Sequence, residues 1–144
     1  MIDIAFVAGF GPITRSQPDA LAFWGDRLGI RLDEAAPGYF TSHELEGIKA
    51  FALWPLTQAA EATFGTAVWP ERLAVPQAWI EFDVPTADAV AAAVEELRGE
   101  GCDILKEAGE EPWGQVTSRV LSPEGLLVGI SFTPWMQGDA APTG

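Results

Sequence analysis

Trp113 stands beside two acids and a glycine in the stretch Gly109-Glu110-Glu111-Pro112-Trp113-Gly114. An indole next to carboxylates suits a flat, cationic guest, each ring contributing about 0.5–2 kcal/mol by stacking or cation–π contact. A packed corner is the alternative reading of the same residues. Further upstream, the run QAWIEFDV at 77–84 alternates in the manner of a strand. Trp79, Glu81 and Asp83 share one face, and Ala78, Ile80, Phe82 and Val84 share the other. An inward carboxylate on such a strand needs a partner or a ligand, because an unpaired buried charge is expensive. Arg119 is the candidate partner for Glu81, and Asp83 is expected near the mouth of any cleft. Burial would raise the pKa of Glu81 and make it a candidate general acid or base. His43, the single histidine, is the second acid–base candidate, against the plainer reading of an ordinary hydrogen-bonded imidazole.

The six tryptophans extend this set. Trp54 ends a strand and Trp69 lies in a long connection; with Tyr39 and Phe51 they complete the expected ligand-binding lining of Trp113, Trp79, Glu81 and Arg119. Trp24 is expected in the core from its helical spacing, and Trp135, like Trp54, also reads as a seal on a sheet edge. With one histidine and one cysteine, Cys102, no Ser-His-Asp or Cys-His set is recognisable and no internal disulfide can form.

Composition narrows the partners. A net charge of −13 would repel phosphates, which argues against nucleic acid and mildly for a cationic ligand. Apolar content of 48% is enough for a core, so a folded domain is expected rather than global disorder. No apolar run approaches the roughly 18 residues of a membrane span. Met1-Ile2-Asp3-Ile4 lacks the basic flank of a signal peptide, so a cytoplasmic setting is expected.

The elements that must position these residues follow in order. A strand over 2–10 is broken by Gly11-Pro12. Ser16 with Asp19 three residues on has capping-box spacing, and the helix it opens runs to about Leu28, with Leu21, Trp24 and Leu28 on one face and Gly29 closing it. Strands are expected at 30–34, 38–44 and 48–54. Residues 55–76 form a long connection with one or two helical turns between Thr57 and Phe64; such connections are uncommon unless functional. A strand at 77–84, a helix capped by Thr86 and running to about Arg98, and strands at 102–107, 115–121 and 126–132 complete the set. The last two flank a Ser-Pro-Glu-Gly turn at 122–125.

The order strand, helix, three strands therefore occurs twice, and Asp19-Ala20-Leu21-Ala22 echoes Asp88-Ala89-Val90-Ala91. One helix covers only one face of each four-stranded sheet, so the other face must enclose something. The fold class is α+β: two βαβββ modules forming curved mixed sheets around a cleft. Module one spans about 2–54 and module two about 77–134, in one domain over 1–136, with a flexible tail at 137–144. Whether the modules pair within a chain or swap across a dimer stays open.

This pattern resembles the vicinal oxygen chelate superfamily of glyoxalase I, extradiol dioxygenases and bleomycin-resistance proteins. The helix Ala20-Leu21-Ala22-Phe23-Trp24-Gly25-Asp26-Arg27-Leu28-Gly29 is similar to the family's aromatic-pair and Leu-Gly helix. Ser122-Pro123-Glu124-Gly125 is similar to its Asp-Pro-x-Gly turn, with Ser122 where Asp is usual, and the segment 109–114 is most like bleomycin-resistance proteins, whose Trp stacks on the drug's rings. The resemblance implies metal ligands near Gly9, at Trp79 and at Gly129, none of which can donate a lone pair. No metal and no cofactor are therefore expected. It implies a metal-independent homodimer that sequesters a planar or cationic aromatic compound such as an antibiotic. The alternatives are a lyase, isomerase or dioxygenase-like enzyme of the same superfamily using Glu81 or His43, and a structural or regulatory partner protein.

Overall fold

The first strand, β1 (Phe6–Thr14), runs through Gly11 and Pro12, where the sequence suggests a break. Two local facts explain the continuity in the computed structural model, which describes residues 1–137. A Cβ on Gly11 would lie 1.9 Å from the carbonyl oxygen of Ala52, so glycine lets β4 (Phe51–Pro55) come this close. Pro12 lacks a ladder donor, but the N–H of Ile13 donates to the Gln77 carbonyl at 2.9 Å and restores the pairing.

Beyond β1, the first module holds β2 (Asp33–Ala36) and β3 (Tyr39–Ser42), and the second holds β5 (Ala78–Asp83), β6 (Ile104–Glu110), β7 (Val116–Leu121) and β8 (Leu127–Phe132). The first edge strand thus starts three residues later than the expected 30–34. All eight strands form one mixed sheet in the order β2-β3-β4-β1-β5-β8-β7-β6. Each module has a parallel inner pair, β1 with β4 and β5 with β8, followed by antiparallel neighbours. The modules join through the antiparallel β1–β5 pair, so they associate within one chain.

The helices differ in how well they follow their sequence signals. In α3 (Ala87–Gly99) the Thr86 hydroxyl oxygen accepts from the Ala89 N–H at 3.2 Å, the cap the spacing implies. Ser16 makes no such bond at the start of α1 (Gln17–Ala20), which corrects the capping-box reading. Leu21–Arg27 then widens into a π-helix, with the Leu28 N–H bonded to the Phe23 carbonyl. Wider turns carry Leu28 off the stripe shared by Leu21 and Trp24, and it is exposed. The long connection holds α2 (Leu56–Phe64), more helix than expected, closed by Gly65 at φ 77°.

Two cores lie on opposite faces of the sheet. Val84, Val90, Ala93 and Ile130 pack between α3 and one face. Ile13, Ala52, Ala59, Ala60, Trp69 and Leu127 pack under α2 on the other, beside Trp79. The β5 alternation read from sequence decides which side chain goes where: Phe82 joins the α3 core, while Trp79 and Glu81 turn to the opposite face. The tail expected from 137 lies, beyond Gln137, outside the described residues.

Candidate functional site

The face of the sheet away from α3 holds a cleft of about 650 Å³. Its floor follows from register. Gly9 on β1 pairs with Glu81 on β5, Glu81 with Gly129 on β8, and Gly129 with Arg119 on β7. Directly paired residues share a face, so one row across four strands presents glycine, carboxyl, glycine and guanidinium. Tyr39 and Thr41 of β3, His43 just after it, Ala50 just before β4 and Trp54 within β4 add to the lining. Gln58 and Ala62 of α2 close one side, and Trp113 and Trp135 stand at the rim, 60% and 59% exposed.

Of the residues expected here, Trp113, Trp79, Glu81, Trp54, Tyr39, Arg119 and His43 all line the cleft. Phe51 does not. It lies one residue out of phase with Ala50 and Trp54, so it faces away and packs on Trp24 at 5.4 Å. Trp69 does not line it either: it is buried in the α2 core against Phe64, with its N–H donated to the Ala74 carbonyl at 3.0 Å. Asp83, expected near the mouth, is fully buried. Its carboxylate accepts from the Thr133 N–H and hydroxyl at 2.7 and 2.8 Å and from Gln137 at 2.7 Å, fastening the chain after β8. Trp54 and Trp135 line the cleft, which corrects their reading as edge seals.

Gln115 lines the cleft without having stood out in the sequence. Its side-chain oxygen accepts from the Trp113 indole N–H at 3.0 Å, while its amide donates to the Thr133 hydroxyl at 2.8 Å. Through Thr133 the rim indole is tied to buried Asp83. Trp79 is held differently, by its N–H donated to the Ala52 carbonyl at 3.3 Å and an edge contact with Trp54 at 5.9 Å.

The charged groups of the floor are unequally satisfied. Glu81 accepts from the Ser131 hydroxyl at 2.6 Å. Burial pushes its pKa up, with Asp83 adding to the rise, while Arg119, Ser131 and Gln115 oppose it. Tyr39 is pushed up to about 12, first by burial and then by the charge of Glu81, so it is a neutral hydroxyl at ordinary pH. Arg119 is 7% exposed, with its guanidinium 5.2 Å from the Trp54 ring and one hydrogen bond, at 3.3 Å, to the Ala62 carbonyl. His43 Nδ1 lies 3.2 Å from the Lys49 carbonyl oxygen, a contact in which the ring nitrogen must be the donor.

A family model, described as Glyoxalase/Bleomycin resistance protein/Dioxygenase superfamily, matches residues 10–130. The chain belongs to this superfamily. No curated protein matches it significantly. Among solved structures, a superfamily member from Vibrio splendidus 12B01 is 16% identical, with a TM-score of 0.57 over 91% of this chain and 100% of that one. A structure named NAD-dependent benzaldehyde dehydrogenase, from Legionella pneumophila, is 14% identical with a TM-score of 0.58 over 86% and 96%. Methylmalonyl-CoA epimerase from Streptomyces coelicolor, in complex with 2-nitronate-propionyl-CoA, is 14% identical with a TM-score of 0.51 over 91% and 99%. At these identities the likeness is one of fold.

The superfamily raises the question of a metal, and the residues here do not fit one. Among the described residues no three His, Cys, Asp or Glu side chains come together. A Cβ on Gly9 would lie 2.6 Å from the Trp79 ring, and one on Gly129 would lie 3.2 Å from Glu81 Oε1. Of the three strand positions from which the resemblance implies metal donors, two are glycines with other side chains in the space beside them and the third is Trp79, whose indole cannot serve as a donor. No helix among the described residues is long and apolar enough to cross a membrane.

Proposed function

We propose that this protein is a metal-independent small-molecule binding protein that sequesters a planar aromatic compound, an antibiotic among the candidates, and that it acts as a homodimer. The observation carrying the reading is the concentration of Trp54, Trp79, Trp113 and Trp135 around one cleft. Aromatic walls of this kind hold a flat ring by stacking and by exclusion of water, without a reaction. Sequence alone points to a cationic guest drawn to Glu81; the hydrogen bond from Ser131 already engages that carboxyl, so the indoles are the firmer basis. The exposed apolar side chains Phe23 and Leu28 on the first helical segment support self-association.

Quenching of tryptophan fluorescence by planar aromatic compounds tests the reading. Saturable quenching that weakens in Trp113→Ala is the expected result. Silence across a broad panel would leave a structural or regulatory role ahead. Sedimentation tests the dimer, and a monomer at micromolar concentration would remove that part.

A second reading, a lyase or isomerase, has one observation in its favour: Glu81 is a buried carboxyl whose pKa is pushed up, inside the cleft that His43 also lines. Such a group keeps its proton to higher pH than an ordinary carboxyl and can exchange it with a bound substrate. Exchange of an acidic substrate proton with solvent deuterium, absent in Glu81→Gln, would support it.

A further inference from the structure

Resting on the reading of the cleft as a ligand site, we propose that it selects planar aromatic compounds bearing a carboxylate, with Arg119 as the group that grips it. The guanidinium has five N–H donors. Among the described residues it makes one hydrogen bond, and that a long one, to Ala62. Among the described residues no carboxylate lies within ion-pair distance of it, although Glu81 and Glu111 both act on its charge through space. Each of those acids has other donors. Glu81 takes the Ser131 hydroxyl, and Glu111 takes the Thr117 hydroxyl at 2.8 Å and Lys106 at 3.3 Å.

Arg119 is therefore a buried cation on the cleft floor with donors uncommitted. Its free donors open into the cleft rather than being orphaned in the interior, so an occupant that displaces water from them and supplies oxygen acceptors is favoured over one that does not. Arginine keeps its charge even though burial lowers its pKa, so the acceptor it suits best is itself ionised and planar. Gly129 lies between Glu81 and Arg119 in the row, and the space a side chain would take there is held by the Glu81 carboxyl, so a head group reaches the guanidinium from the open cleft, which Arg119 lines. The Trp54 ring stacked near Arg119 places an aromatic surface beside that grip. A molecule with a ring and an attached carboxylate satisfies both at once. A cationic ring would meet the guanidinium as a like charge, whatever the chain's net charge of −13 does outside the cleft.

Three probes of one shape separate the possibilities: 2-naphthoate, neutral 2-naphthamide and cationic 2-naphthylmethylamine. Affinities come from tryptophan quenching and calorimetry. The wild type should bind the naphthoate about tenfold or more tighter than either analogue, the size expected of one charge-assisted pair. In Arg119→Met that preference should vanish while the amide still binds. Arg119→Lys keeps the charge without the fork and should retain part of the preference, which guards against misfolding of the methionine variant. Equal binding of all three probes, or preference for the amine, overturns the proposal and leaves the aromatic cleft standing. Preference for the naphthoate that survives in Arg119→Met overturns it too. If no probe binds, this proposal and the binding function on which it rests both fail.

Discussion

Glu81 and Trp113 are the two side chains whose behaviour the surroundings determine most directly. In the unfolded chain Glu81 ionises in the ordinary carboxylate range, whereas in the fold, burial makes it keep its proton to higher pH. The folded state thus binds more protons between those two values. Its stability is fullest below the unfolded pKa and is lost as pH rises through the folded one. Asp83, also pushed up by burial, acts in the same direction. Melting temperatures from about pH 4 to pH 8 should fall less steeply in Glu81→Gln than in the wild type; identical slopes would assign the effect to Asp83 alone. Trp113, more exposed than buried, should behave in the opposite way: Trp113→Ala should leave the melting temperature nearly unchanged while weakening ring binding by about 1 kcal/mol, five- to tenfold. Both residues stand out in the sequence, Glu81 as an acid on an apolar strand and Trp113 in an acid-flanked turn. Trp69 misled because an aromatic in a long connection carries no sign of which way it faces. Gln115 gave no signal because its role is a tether, made only when β8 brings Thr133 beside it.

At the level of elements, closeness of strands is the constraint. Gly11→Ala would drive a methyl group into the Ala52 carbonyl, and β1 would have to separate from β4. The expected cost is about 3 kcal/mol or more, read as a shift of the urea midpoint, with loss of folding as the extreme result. Thr86→Ala, by contrast, removes one capping bond from α3 and should cost about 1 kcal/mol. The contrast shows which parts of the fold can be read locally. Thr86 with Asp88 marks a helix start from neighbours alone, and the period of two over 77–84 assigns faces correctly. Gly11-Pro12 reads as a turn locally, yet serves as close-packed strand, because the residue that requires glycine is Ala52, forty-one positions away. The widening of the first helix at Leu21–Arg27 had no such local mark.

Over the whole molecule, charge and site oppose each other. The chain carries −13, while Arg119 puts a cation inside the cleft. Long-range repulsion should therefore slow the approach of an anionic ring, and salt should relieve it. The association rate of 2-naphthoate is expected to rise between about 10 and 300 mM salt, measured by stopped-flow fluorescence, with little change in the dissociation rate; a falling association rate would mean that a local field at the cleft mouth dominates. The doubled module was legible from the order of elements, but its closure within one chain was not, since β1 and β5 offer equally good edges to a neighbour. The glycines of the cleft floor also resist replacement. A histidine at position 9 cannot be accommodated until Trp79 is cut down, and an acid at position 129 cannot enter until Glu81 yields. A single substitution at either position therefore does not build an ion-holding centre, and a side chain at position 9 displaces the indole that walls the cleft.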